Sequence, residues 1–177
     1  SANDKMPDPS NRKLFVSEGS GSGITISAST RLDASGLQWM RQLIDPDASL
    51  PGDASFIQYL LGKDDAGPWR SRASKLASSV NAPPLYVGAR LNMGYGRDAS
   101  AVPGKANYVN FFSTKASIPG TLYAATNDGA VHVFNAADKD YLGNTEQIKS
   151  GSTVIPAGTE LGAFLIKATM PKLKKFA

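Results

Sequence analysis

Acid–base chemistry has one candidate centre in this chain. The 177 residues contain a single histidine, His132, and no cysteine. A Ser-His or Cys-His arrangement must therefore use His132 or do without it, and a thiolate metal site or a disulfide framework is excluded. His132 lies between Val131 and Val133, two residues before Phe134. In that setting it is read as a hydrogen-bonded core histidine rather than a general base. Oxygen ligands for calcium are weighed at two places. Asp45, Asp47, Ser49 and Asp53 fall at positions 1, 3, 5 and 9 of a loop, but Leu50 stands where a glycine is needed and Phe56 where the twelfth position needs a glutamate. Asp53 is better used as a helix cap. Asp138, Asp140, Asn144 and Glu146 form a second acidic loop, interrupted by Leu142. Gly94-Tyr95-Gly96 and the run from Gly19 to Gly23 lack the lysine or glycine spacing of a phosphate cradle and read as loops. No catalytic, cofactor-binding or metal-binding residue is assigned, no cofactor is implied by this segment, and the chain is read as a non-enzyme.

Charge and hydropathy narrow the partners. The formal net charge is +4, yet Lys167, Lys172, Lys174 and Lys175 crowd the C-terminal segment. Without these four the 19 basic residues fall to 15 and balance the 15 acidic ones. A basic tail is not the stripe with stacking aromatics that nucleic acid requires, so it is read as a solvated helix face. No apolar run approaches the ~20 residues of a transmembrane helix. Ser1 to Ser10 carry no apolar signal region, so an export signal is expected to lie outside this chain.

The elements that must position these residues are short. Hydrophobic residues make up 41% of the chain, enough for a core, while 17 glycines and 11 prolines favour strands joined by turns. Residues 1–23 read as a flexible lead-in and 24–177 as one β-rich unit with short helices. Ile24-Thr25-Ile26 begins a strand, and Leu37 to Ile44 is ambiguous. Asp53 caps a helix that puts Phe56, Ile57, Leu60 and Leu61 on one face and stops at Gly62. Leu85 to Val87 is a strand behind Pro83-Pro84, residues 90–106 are loop-like, and Tyr108 to Phe112 is an aromatic segment expected to pack. Leu122–Ala125 and Val131–Phe134 flank Asn127-Asp128-Gly129 as a tight hairpin. Both faces of the second strand are apolar or aromatic, as in a strand stacked between two sheets. Residues 138–158 are turn-rich, Leu161 to Ile166 is a further strand, and Thr169 caps a helix carrying Met170, Leu173 and Phe176.

The order of these segments resembles the PilC/PilY family of type IV pilus proteins. Phe56-Ile57-Gln58-Tyr59-Leu60-Leu61-Gly62-Lys63-Asp64 is similar to one of its helices. Trp69-Arg70-Ser71-Arg72 followed by Pro84-Leu85-Tyr86-Val87-Gly88 is similar to its Arg-x-Arg and proline-strand run. The stretch from Leu122 to Ala136 is similar to its strand pair around Asn-Asp-Gly. The stretch from Gly158 to Ile166, with Met170 to Leu173, is similar to the segment that follows. Departures are Leu76-Ala77-Ser78, where the family carries Leu-Gly-Asp, and residues 138–157, which read as an insertion. The resemblance implies a partial, quinoprotein-like β-propeller, roughly its first blade and the segment leading into it. It also implies an extracytoplasmic location (periplasm, outer membrane or pilus tip), minor pilins, other pilus components or a host surface as partners, and calcium only in a family loop beyond this chain. No binding residue is assigned, and Arg70 and Arg72 stand open between a binding role and pairing with blade carboxylates. Two other readings stand beside it: a fragment of a quinoprotein dehydrogenase, and a structural fragment whose open strand edges pair with a partner.

Overall fold

The computed structural model describes residues 3–17, 23–63, 67–88, 93–96, 103–115, 118–137 and 147–176. β1 (Leu14–Ser17) and β2 (Gly23–Ile26) form an antiparallel pair. Two short helices follow, α1 (Gln38–Ile44) and α2 (Ser55–Leu60). β3 (Leu85–Val87) is separated from β4 (Thr121–Ala125) by a long connection that holds α3 (Lys105–Lys115). β5 (Ala130–Asn135) returns against β4, and a small hairpin of β6 (Ile148–Ser150) and β7 (Thr153–Ile155) precedes β8 (Glu160–Leu165). The short helix α4 (Met170–Leu173) completes the described order.

Six strands form one sheet in the order β2-β1-β8-β5-β4-β3. Within it β3, β4, β5 and β8 make a four-stranded antiparallel meander, and only the β1–β8 pair is parallel. The protein is thus sheet-rich with short helices, and the described residues close into neither a barrel nor a propeller. The Asn127-Asp128-Gly129 turn forms as expected. Gly129 has φ +80°, a conformation only glycine adopts without strain, and a Cβ there would lie 2.5 Å from Thr169 Oγ1.

One face of the sheet carries the main core. Leu14, Val16, Ile26, Ala130, Ala163 and Leu165 point from the strands into a buried cluster. Met40 and Ile44 of α1, Phe56 and Ile57 of α2, and Met170 and Leu173 of α4 fill it from the helical side. A second, smaller cluster of Met6, Ala124 and Phe134 lies under the β3–β4 end, with Leu76 and Leu122 against it.

Several expectations are corrected by this arrangement. Residues 14–17, inside the stretch read as a flexible lead-in, form β1, and Val16 is fully buried between β2 and β8. Alternating Leu14 and Val16 supply the inward side chains, a pattern too short to stand out against the polar flanks. Leu37 to Ile44 resolves as helix, because Met40 and Ile44, four residues apart, share the core face. α2 buries Tyr59 along with Phe56, Ile57 and Leu61, while Leu60 is only half-buried. The N-cap position of α2 is Ala54, with no side-chain cap, rather than Asp53, whose carboxylate accepts the Ser55 backbone N–H at 2.9 Å. The aromatic segment 108–112 is a helix, α3, with no buried residue; Tyr108 packs edge-on against Tyr95 and stacks on Phe112 instead of joining the core. Thr169 makes no side-chain cap to α4: its hydroxyl donates to the Gly129 and Ile166 carbonyls, which ties the helix to the hairpin turn. The acidic loop of Asp138, Asp140, Asn144 and Glu146 lies outside the described residues, as does most of the Gly19 to Gly23 run.

Candidate functional site

β5 and β8 pair antiparallel with His132 opposite Ala163 and Phe134 opposite Glu160, the register shifting between Val133 and Phe134. That shift brings Glu160 onto the inward face beside the histidine. His132 Nδ1 lies 2.6 Å from Glu160 Oε1, and both side chains are 1% exposed. The other ring nitrogen, Nε2, lies 3.2 Å from Oδ2 of Asp128 in the hairpin turn. Asp128 is itself held by the Thr126 hydroxyl and by the Ala130 backbone N–H. On the far side of Glu160, Arg12 donates Nε to Oε2 at 2.6 Å and Nη2 to Oε1 at 2.8 Å. Its third nitrogen, Nη1, donates to the Leu61 carbonyl at 2.8 Å, just past the end of α2, where helical carbonyls lack partners. Arg12, Glu160, His132 and Asp128 thus form one chain of alternating charge, buried except at half-buried Asp128, that links the segment ahead of β1, the end of α2, β8, β5 and the hairpin turn.

The electrostatics of this chain are mutual. Burial alone drives the His132 imidazole down, but its hydrogen bonds to Asp128 and Glu160 outweigh that and the net shift is upward. Burial pushes Glu160 up, yet the bonds to His132 and Arg12 carry it below its ordinary value. Asp128 behaves alike, with burial opposed and overcome by His132, Thr126 and the Ala130 amide. The arrangement holds the ring as an imidazolium donating from both nitrogens. Such a ring has no lone pair to offer a substrate, and the nearby Thr126 hydroxyl reaches Asp128 rather than the imidazole. The expectation of a satisfied core histidine is met, and its partners are charged.

Arg12 and Glu160 were not singled out by sequence reasoning as charged partners. The available signal was the histidine itself: a buried imidazole must find two polar partners. The remaining candidates fall elsewhere. Asp45 is buried, with Oδ1 accepting from Lys174 Nζ at 2.6 Å and from Ser49, and Oδ2 from the Leu50 N–H at 2.6 Å. Burial would raise this carboxyl, but Lys174, Leu50 and Ser49 hold it at about 2. Of the oxygens weighed for calcium, those of Asp45 are engaged by a cation and donors of the chain itself, Asp53 is turned to Ser55, and Asp47 is exposed, 3.9 Å from Lys174 Nζ. Lys174, read as part of a solvated face, is only 33% exposed and is the partner of Asp45. The Arg72 guanidinium lies 4.1 Å over the Tyr59 ring and donates to the Tyr59 carbonyl, while the Tyr59 hydroxyl donates to the Arg70 carbonyl. Arg70, Arg72, Tyr59, Ser74 and Asp128 line a cavity of about 410 Å³ between the 70–78 segment and the hairpin turn. Gly94-Tyr95-Gly96 lies before α3, with Gly94 at φ +84°.

Comparison with known proteins gives one informative relative. The chain is 31% identical over 128 residues to a protein of Xylella fastidiosa strain Temecula1 named type IV pilus biogenesis factor PilY1 homolog. The match covers 70% of this chain and 9% of that relative's length. No protein-family model matches the chain, and no solved structure matches it.

Proposed function

We propose that this chain works in type IV pilus biogenesis as a non-enzymatic binding scaffold outside the cytoplasm, one blade-sized part of a β-propeller. The observation that carries this reading is the 128-residue similarity to the pilus biogenesis factor homologue. It is supported by the antiparallel meander β3-β4-β5-β8, which has the strand number and connectivity of a propeller blade. The buried charge chain fits a scaffold: it fastens five segments together and leaves His132 without a free nitrogen for acid–base work. The function then lies in binding pilus components, with minor pilins and a host surface as the more specific partners. The long β3–β4 connection, with its exposed helix α3, is the element presented to them. In-frame deletion of the gene followed by counting sheared surface pili and measuring twitching motility tests the reading. Loss of pili that returns on complementation supports it. Wild-type piliation and motility in the deletion strain would remove it.

A further inference from the structure

The helices leave one part of the core face of the sheet uncovered. Leu122 pairs with Phe134 and Ala124 with His132, so these four side chains share the face that carries the main core. At the β1–β8–β5 end α1, α2 and α4 cover that face. At the β4 end Met6 and Leu76 are the apolar residues from outside the sheet that pack on it. A cavity of about 800 Å³ remains over Leu122, Ala124 and Phe134. Side-chain size is the cause: five of its lining residues are alanine, Ala77, Ala124, Ala136, Ala137 and Ala157. Small-molecule sites usually occupy about 300–1,000 Å³ and are mainly apolar, with a few polar groups that fix orientation.

The polar lining decides which head group fits. The Ser79 hydroxyl is turned to the Ala82 and Ala125 carbonyls, the Thr126 hydroxyl to Asp128, and the Asn135 amide to the Ile155 carbonyl and the Ala137 N–H. The backbone N–H groups of Asn135, Ala136 and Gly158 are paired as well, with the Thr159, Gly120 and Asn135 carbonyls. Lys5 is the one charged residue among those that line the cavity. Gly158, at φ +83°, makes room for its stem, since a Cβ there would lie 2.9 Å from Lys5 Cδ. The Lys5 ammonium has three N–H donors, and the Ala157 carbonyl takes one of them at 2.8 Å. A cationic ligand meets no carboxylate among the described lining residues, and a sugar would bury hydroxyls against apolar walls without partners. One ammonium balances one negative charge, which a carboxylate carries and a phosphate monoester exceeds. A hydrocarbon chain asks for no polar partner among the alanines.

We infer that this cavity is a binding site for a fatty acid: the hydrocarbon tail lies over Leu122, Ala124 and Phe134, and Lys5 Nζ holds the carboxylate. The site is separate from the exposed helix α3 and does not depend on the pilus reading. Titration calorimetry of the native protein, purified from its source organism and stripped of lipid, tests it. The probe is dodecanoate below its micelle-forming concentration, with dodecanol and dodecylammonium as controls. Dodecanoate is expected to bind about tenfold tighter than dodecanol, the worth of a charge-assisted hydrogen bond at a partly open rim, and dodecylammonium weakest. Lys5→Met should bring dodecanoate down to the level of dodecanol and leave dodecanol unchanged, since only the head-group contact is removed. Ala124→Leu fills the floor of the cavity and should weaken both about tenfold or more. Lys5 is exposed, so its variant keeps the fold whatever Ala124→Leu does. Absence of dodecanoate binding overturns the inference, as does binding that neither variant changes, because the ligand then sits elsewhere. Equal affinity for the acid and the alcohol, or a preference for the ammonium, overturns it too. Wild-type piliation of the deletion strain touches only the pilus role, and a failed titration touches only this site.

Discussion

The two ends of the sheet are built to different standards. At the β1–β8–β5 end, fifteen buried apolar residues from the strands, three helices and the loops between them pack together, and the buried charges of Arg12, Glu160 and His132 are paired beneath them, with half-buried Asp128 completing the set. At the β3–β4 end, three buried residues form the cluster, and a cavity of about 800 Å³ opens beside it along Leu122, Ala124 and Phe134. The connection there carries α3, on which nothing is buried. Packing density and charge pairing go together: buried charges are tolerable only where the surroundings hold every partner in place. The well-packed end is where the sheet is held, and the sparse end carries the exposed connection that we propose as the binding element.

The sharpest way to break the contrast is Glu160→Ala. It leaves Arg12 and His132 buried without their shared carboxylate, and removing one member of a buried ion pair costs about 3–5 kcal/mol. Urea unfolding of the variant against the parent measures it. A loss below about 1 kcal/mol, the range of an exposed ion pair, would mean that the network is not a fastening.

Core truncation comes next. Leu173 of α4 is fully buried in the main cluster, so Leu173→Ala is expected to cost about 2–5 kcal/mol. Leu122→Ala, at the sparse end and only half-buried, should cost clearly less in the same denaturant series. Equal losses at the two positions would erase the distinction between the ends.

Proton linkage gives a third test, again confined to the packed end. His132 is shifted upward, so its contribution is complete below its ordinary value, about 6.5, and is lost as pH rises through its folded value. Asp128 and Glu160 are shifted downward, so theirs is complete above the ordinary carboxylate range, near 4, and is lost as pH falls through their folded values. Stability should therefore be highest between about pH 5 and 6.5 and decline on both sides. Unfolding free energy measured across pH in His132→Gln should lose the alkaline decline and keep an acidic one.

What the sequence made legible follows the same division. The hairpin, β3, β8 and the α2 helix were readable, because turn glycines, prolines and helical spacing are local signals. β1 was hidden: four residues with two inward side chains look like any polar lead-in until β2 and β8 are there to flank it. The charge chain was half legible. His132 announced a need for partners, but Arg12 lies 148 residues from Glu160 along the chain, a separation no local pattern bridges. α3 was unread as a helix because its aromatics fall without a buried stripe. Lys174 was read as solvated because its partner, Asp45, lies at the far end of the sequence.

Lys174→Met tests that last pairing. It removes the cation from Asp45 but leaves Ser49 and the Leu50 amide. With the lysine partly open to solvent, the cost should be about 1–2 kcal/mol. The carboxyl should also titrate upward from about 2 towards the ordinary range, which carbon-detected NMR would follow. An unmoved Asp45 would assign its low value to the two remaining donors.

Phe111→Ala should do least, and for that reason it bears most directly on the difference between the two ends. Phe111 is 58% exposed on a helix that buries none of its residues. Truncating such a side chain removes little packing, and the helical backbone loses nothing, since alanine is the better helix former. The expected change is within about 0.5 kcal/mol of zero. If the exposed aromatics of this connection serve binding, the same variant should weaken retention of pilus components in a pull-down while the urea midpoint stays put. A variant that unfolds early would instead show that α3 is held against the body, and the sparse end would then be structural after all.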